Sequence, residues 1–343
     1  MNRQPLTNIQ ALRACAALAV LCYHTFDKLQ QMMPGSAGWL AFMQLVGPLG
    51  VDMFFVISGF LMVYTTWDAP ATAAQARRFL LRRWIRVVPI YWLATSAMVL
   101  LLLLAPGAFR ELQWQPLQIL ASYFFVPFRN AMGNTSPLVG VGWTLNFEMY
   151  FYLLFAVAML FPRRIAMLNL ALVSLVTLGA WLHPQHALLE MMTSPLLLEF
   201  SVGSLAAVLL IRFAESIPFF ALFAGLLLLG YLQMDDAGSI GTALLKGVAM
   251  AAILLAVVAA EQRSQLRVPK AWQALGDSSY SLYLSHVFLL GALARVWLRL
   301  VGAQHATLFC LAIFALVPLI AHGIYRAVEL PITRRLQRAF AKH

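Results

Sequence analysis

The sequence predicts an all-α, polytopic membrane helix bundle of about ten transmembrane helices with both termini cytoplasmic, and three observations carry that prediction. Hydrophobic residues make up 62% of the 343 positions and charged residues 11%, with a mean hydropathy of +0.80, too little polar surface for a soluble body of this size. Apolar stretches of about 18 to 25 residues recur along the whole chain, the length a helix needs to cross a hydrocarbon core of about 30 Å, whereas the alternating pattern of barrel strands is absent. The basic residues are shared unequally between two sets of loops.

The apolar stretches read as spans at 8–27, 46–65, 86–105, 143–161, 165–182, 191–211, 217–233, 241–260, 279–301 and 306–328. An even number returns the chain to the side on which it began. Arg77, Arg78, Arg82, Arg83, Arg86, Arg163, Arg164, Arg212, Arg263, Arg267, Lys270, Arg334, Arg335, Arg338 and Lys342 fall on the side of the termini, against Lys28, Arg110 and Arg129 on the other. The positive-inside rule therefore sets the termini in the cytoplasm. The net charge of +11 then reports topology and a match to anionic lipid headgroups. A nucleic-acid role is the weaker reading, because the cations are split among short loops. Without an internal repeat or low-complexity tract, residues 1–343 read as one membrane domain with an outer loop at 106–142, a basic cytoplasmic tail at 329–343 and no soluble extension.

The first span carries Arg13 and His24, where a plain anchor would carry neither. A central arginine costs roughly 2.5 to 3.5 kcal/mol on an insertion scale, which marks both as candidate site residues. Eleven helical steps bring them to nearly one face, about 16 Å apart along the axis, as one wall of a polar cavity would be. The same two residues spoil the pattern of a cleaved signal peptide, so the segment is expected to stay as the first helix. Cys15, Cys22 and Cys310 lie in apolar helices, which argues against a disulfide framework or a zinc site and makes packing their default role.

In the second span, Asp52 falls toward the outer end, either as a cap or pair at the interface or as a site group, while Ser58 and Gly59 let a neighbouring helix approach. The connection 67–85 ends in the basic run 77–84, which reads as an amphipathic helix at the interface. Arg82, Arg83 and Arg86 then meet the mouth of the third span, where guanidinium groups can hold phosphates bidentately. A positive-inside flank explains one or two of them, and Arg86 is hardest to explain that way. Within the outer loop, 117–126 is apolar but too short to span, and a loop of this length suits covering or receiving a substrate.

Thr144, Glu148 and Tyr152 share one face of the fourth span by four-residue spacing. Glu148 has no basic residue within helical reach, so its partner comes from another helix or it stays protonated. Asp277 or Ser278 suits the cap of the ninth span, along which Ser279, Tyr283 and His286 form a polar stripe. His286 alone is also explained by a hydrogen bond to neighbouring backbone. By depth, His24, Asp52 and Glu148 gather toward the outside, Arg13 and His286 lie deeper, and Arg82, Arg83, Arg86, Arg326 and Glu329 sit at the cytoplasmic mouth.

Six ordered motifs cover nearly the whole chain: Arg13-x10-His24; Gly50-Val51-Asp52-x-Phe54-Phe55-x-Ile57-Ser58-Gly59-Phe60; Arg83-x-x-Arg86-x-x-Pro89-x-Tyr91; Trp143-Thr144-Leu145-x-x-Glu148; Tyr280-Ser281-Leu282-Tyr283-Leu284-x-His286; and Glu329-x-Pro331. Together they resemble the acyltransferase-3 family of integral membrane acyltransferases, with wording around Gly50 to Thr66 and Asn146 to Tyr150 similar to the exopolysaccharide-production branch. The resemblance implies transfer of an acyl group, commonly acetyl, from cytoplasmic acyl-CoA to a hydroxyl of a glycan or lipid-linked sugar at the bacterial inner membrane. It implies His24 as the catalytic histidine with Arg13 its motif partner and Glu148 also in the catalytic set. It places Arg83, Arg86 and Tyr91 near the donor, and Asp52, Trp143, Asn146, Ser279, Tyr283 and His286 along the site. The partners implied are acyl-CoA (acetyl-CoA) as substrate, a glycan or lipid-linked oligosaccharide acceptor and the bilayer, then a second copy of the chain or glycan-assembly proteins. No metal and no permanently bound cofactor is expected.

Chemistry fits that implication: a sugar hydroxyl is a poor nucleophile until a base takes its proton, and neutral imidazole suits the task. The rival reading is a proton-coupled secondary transporter, since intramembrane His, Asp and Glu also build proton relays. Transporters often show inverted repeats and broken helices at matching positions, and neither is visible here.

Overall fold

A computed structural model describes residues 6–35, 38–105, 115–130, 133, 135–213, 223, 224, 227, 228, 230, 239–263 and 267–340. These residues are helical throughout, with no strand among them: α1 (Asn8–Met32), α2 (Phe42–Thr66), α3 (Ala73–Leu104), α4 (Pro116–Tyr123), α5 (Trp143–Ala158), α6 (Arg164–Leu182), α7 (Ala187–Met192), α8 (Leu197–Phe213), α9 (Ile240–Gln262), α10 (Lys270–Asp277), α11 (Ser279–Leu300), α12 (Ala306–Ile324) and α13 (Leu330–Phe340). Nine stretches among them are long and apolar enough to cross a membrane, matching nine of the predicted spans. The predicted span 217–233 and Arg110 and Lys342 lie wholly or largely outside the described residues. Large aliphatic side chains such as Leu104, Leu170, Leu300 and Leu319 stand exposed on the helices, as surfaces meeting acyl chains do.

The basic run 77–84 differs from expectation. It is not a separate interfacial helix but the interior of α3, a single helix of 32 residues that Thr72 opens by accepting a hydrogen bond from the Gln75 amide. Nothing in 73–85 breaks a helix, so the polar and apolar halves join. Pro89 lies within α3 without ending it. Arg164, counted above as a topological charge, bonds the carbonyls of Thr66, Trp67 and Ala69 and so satisfies the groups that the end of α2 leaves open.

The chain forms two compact units, Met1–Thr65 with Val202–Ala327, and Thr66–Ser201 with Val328–His343. In the first, α1 is the common neighbour of α2, α9, α10, α11 and α12. Helices in a bilayer gain little from hiding apolar surface from lipid, so they associate through close packing at small residues. A methyl group placed on Gly276 would lie 1.9 Å from the Gln10 carbonyl oxygen, and one on Gly50 would lie 2.3 Å from that of Ala16. The glycines therefore let α10 and α2 touch the backbone of α1. The start of α1 is held from outside its own sequence: Glu261, at the end of α9, accepts hydrogen bonds from the amides of Thr7 (2.7 Å) and Asn8 (3.0 Å) and from the Thr7 hydroxyl. A carboxylate there satisfies open amides and favours the positive end of the helix dipole.

In the second unit α3 and α5 run antiparallel, with Tyr91 against Gly142, Phe79 against Tyr152 at 6.0 Å, and Phe79 against Phe155 at 5.1 Å. The connection between them folds back on α3. Trp92 donates its indole hydrogen to the Tyr123 carbonyl at 2.8 Å, Ser96 and Tyr123 share a hydrogen bond at 2.7 Å, and the Leu138 amide donates to the Ser122 hydroxyl at 2.9 Å. The described part of the connection 106–142 is thus packed structure, with Leu138 and Val139 buried.

Gly276→Ala is expected to lower the thermal unfolding midpoint in detergent, because the added methyl must push α10 off α1 at a cost of about 1–3 kcal/mol. Gly291→Ala, at a position with open space around it, serves as the control and should leave the midpoint unchanged or raise it.

Candidate functional site

Each unit assembles a polar cluster from the predicted residues. In the first, Gly276 beside Gln10 sets α11 running parallel to α1, and this register carries His286 to His24. The two imidazoles meet with centroids 5.1 Å apart and planes 39° apart. Tyr23 stands edge-on to His24 at 5.2 Å, Tyr283 lies 6.0 Å from His286, and Phe54 of α2 packs edge-on to Tyr283 at 5.9 Å. His286 therefore does not lie at the depth of Arg13, as the span boundaries suggested. α10 already covers the first turns of α1, so α11 begins partway along it.

His286 is 1% exposed and its Nδ1 lies 3.2 Å from the Leu282 carbonyl oxygen, which can only accept. That contact assigns the ring hydrogen to Nδ1 and leaves Nε2 as the acceptor nitrogen, a buried atom without a hydrogen bond among the described residues. His24 is partly open. The bland alternative for His286, a backbone hydrogen bond, is realised together with the ring contact. Ser279 is fully buried on the same stripe. Ser278 occupies the cap position, but its hydroxyl bonds back to the carbonyls of Ala274 and Leu275, so neither it nor Asp277 caps α11 as predicted.

Arg13 is buried on α1 and donates to Gln10 Oε1 at 3.1 Å. Asp52 is also buried, and lies on α2 between the levels of His24 and Arg13, since Gly47 abuts Tyr23 and Gly50 abuts Ala16. It is thus deeper than the outer position read from the span, by about a turn and a half. Cys310 is buried and Cys22 half-buried as packing would have them, while Cys15 is exposed on α1. Among the described residues no group of three His, Cys, Asp or Glu side chains offers a metal-ligand set.

In the second unit, Arg83 and Glu148 belong to one cluster. The Tyr152 hydroxyl donates a close hydrogen bond to Glu148 Oε1. The Arg83 guanidinium lies 5.7 Å from the Tyr152 ring centroid and 5.6 Å from that of Phe79, within cation–π range. The depth assignment had set Arg83 and Glu148 at opposite mouths. The long α3 brings Arg83 inward, and the antiparallel register sets it beside Tyr152, one turn beyond Glu148. Glu148 thus has a partner on its own helix, four residues away, and Tyr152 joins the candidate residues that motif reading missed. Its four-residue spacing from Glu148 was the available signal. Arg86 is half-buried one turn further along α3, and Tyr91, fully buried, stands two turns beyond Arg83.

Trp143 and Asn146 face away from Glu148. With Phe147 they line a cavity of about 260 Å³ whose apolar walls include Pro127, Ala187 and Met191. The helix α5 therefore presents these residues on two different faces, because residues two apart on a helix point in nearly opposite directions. Beside the cavity Arg129 and Glu190 form an ion pair at 2.7 Å.

Comparison with known proteins adds to this geometry. A family model described as an acyltransferase domain matches residues 6–322. The exopolysaccharide production protein ExoZ of Rhizobium meliloti (strain 1021) is 33% identical over 298 residues, covering 84% of this chain and 90% of that protein. Nodulation protein 10 of Rhizobium leguminosarum bv. viciae is 28% identical over 220 residues, covering 58% of this chain and 59% of its own. The peptidoglycan O-acetyltransferase OatA of Listeria monocytogenes is 29% identical over 167 residues, 45% of this chain and 24% of that protein. No solved structure matches the chain.

Tyr152→Phe removes the phenol donor from Glu148 and is expected to destabilise the protein by about 1–3 kcal/mol. In a double-mutant cycle with Glu148→Ala, which removes the acceptor, the two changes together should cost less than the sum of each alone, since they break one hydrogen bond.

Proposed function

This chain belongs to the acyltransferase-3 family of membrane O-acyltransferases, and from that premise we propose that it moves an acyl group, acetyl by preference, from cytoplasmic acyl-CoA to a sugar hydroxyl of an exopolysaccharide or lipid-linked glycan. The bacterial inner membrane, with both termini in the cytoplasm, is the location that the distribution of basic residues supports. The exopolysaccharide acceptor is supported by the similarity to ExoZ, which extends over most of both chains.

The observation that carries the reading is the His24–His286 pair at 5.1 Å in a chain matched by the family model. In the proposed reaction neutral His24 takes the proton of the acceptor hydroxyl as its oxygen bonds the thioester carbonyl carbon. The carbon–sulfur bond then breaks, and the departing CoA thiolate receives the proton from the imidazolium. His286 orients His24: its own ring is held at Nδ1 by the Leu282 carbonyl, so its position and tautomer are set before substrate arrives. Arg13, Arg83 and Arg86 are the groups suited to the phosphates of the donor or to charge developing on the thioester oxygen. Glu148 holds Tyr152, and Tyr152 in turn supports the guanidinium of Arg83, which fixes an otherwise flexible side chain.

The test uses protein in lipid discs, labelled acetyl-CoA and an oligosaccharide panel. His24→Ala should lower transfer to sugar by about 10²–10⁴-fold and Arg13→Lys should lower it strongly, both with membrane insertion intact. Full activity in His24→Ala would remove the proposed base. Absence of label from every sugar, with folded wild-type protein, would overturn acyl transfer to glycan, and solute uptake by proteoliposomes would favour a transporter instead.

A further inference from the structure

We propose that the cavity in the second unit binds one neutral sugar ring; in taking that ring to belong to the glycan acceptor, the inference rests on the function proposed above. Its volume of about 260 Å³ lies just below the roughly 300–1,000 Å³ of pockets for drug-sized ligands, which suits a single ring with its exocyclic groups.

The lining has the chemistry of a polyol site. Asn146 is 2% exposed, and its Oδ1 accepts no hydrogen bond among the described residues. A buried amide oxygen is costly until a donor reaches it, and a ligand hydroxyl is such a donor. Thr135, Ser136 and Ser194 add hydroxyl groups that both donate and accept. Trp143 and Phe147, whose rings lie 5.9 Å apart at 87°, supply aromatic surface for the C–H face of a pyranose. The Glu190 carboxylate accepts from ligand hydroxyls while Arg129 holds it in place at 2.7 Å.

Charge decides between a sugar and the phosphate-bearing donor. Among the described residues Glu190 is the one charged residue that lines the cavity, and Arg129 already matches its charge, so no cation is left over there to balance a phosphate. The lining comes from the connections before α5 and around α7 and from the first turns of α5, all at one end of the unit. With cytoplasmic termini that end faces outward, where a glycan acceptor is met.

Saturation-transfer NMR on protein in lipid discs tests the inference, with the methyl glycosides of glucose, galactose and mannose as neutral probes and glucuronate as the anionic one. At least one neutral glycoside should receive saturation in wild-type protein and in His24→Ala. Asn146→Leu and Thr135→Trp, the second at a half-buried position of the connection before α5, should weaken that binding at least about tenfold, the scale of one lost hydrogen bond. No binding by any neutral glycoside, equal binding in both variants, or preference for glucuronate would overturn the subsite. Binding without acyl transfer to any sugar would sink the proposed function and leave the sugar site standing. Transfer without such binding would sink the subsite alone.

Discussion

The first unit depends on contact between helix backbones. Apolar side chains can face lipid as comfortably as they face each other, so what commits α10 and α2 to α1 is the space left by Gly276 and Gly50 at the carbonyls of Gln10 and Ala16. Those two contacts set register as well as affinity. From Gly276 at Gln10 the parallel course of α11 brings His286 to His24, and from Gly50 at Ala16 the antiparallel course of α2 carries Asp52 between His24 and Arg13. Glu261 holds the same helix at its start through two backbone amides. Polar groups that are costly in a membrane are thus held by close backbone packing.

The second unit solves a related problem with aromatic rings. A guanidinium inside a span needs partners, and Arg83 finds Phe79 and Tyr152 while Tyr152 is itself tied to Glu148. Removing Tyr152 takes a partner from both Arg83 and Glu148, so the members of the cluster depend on one another. On its other side α5 opens to a cavity walled partly by the folded connection that precedes it. One helix thus separates the Arg83–Tyr152–Glu148 cluster from the polar cavity on its other face.

Much of the architecture was legible because it follows from composition. Span length, mean hydropathy and the division of cations depend on the bilayer as solvent, and nine of the predicted spans correspond to helices among the described residues. The boundary of α3 was not legible: the basic run looked like a surface segment because charge within a span is costly, and only the aromatic partners of Arg83 show why it is tolerated. The depth order failed for His286 for a similar reason. Counting from a span boundary assumes that neighbouring helices start level, and α10 shifts α11 along α1.

By itself the sequence determined the class of the molecule, the order of its helices, the residues worth suspecting and the family they resemble, since each of these resides in residue type and one-dimensional spacing. Tertiary structure alone decided which suspects meet. It joined His24 to His286, Arg83 to Glu148 through Tyr152, and it divided Trp143 and Asn146 from Glu148 on the same helix. The physical reason is that helical periodicity defines a residue's face but not the register of the neighbouring helix. That register is set by a few close contacts at glycine and by a short helix whose length no periodicity encodes.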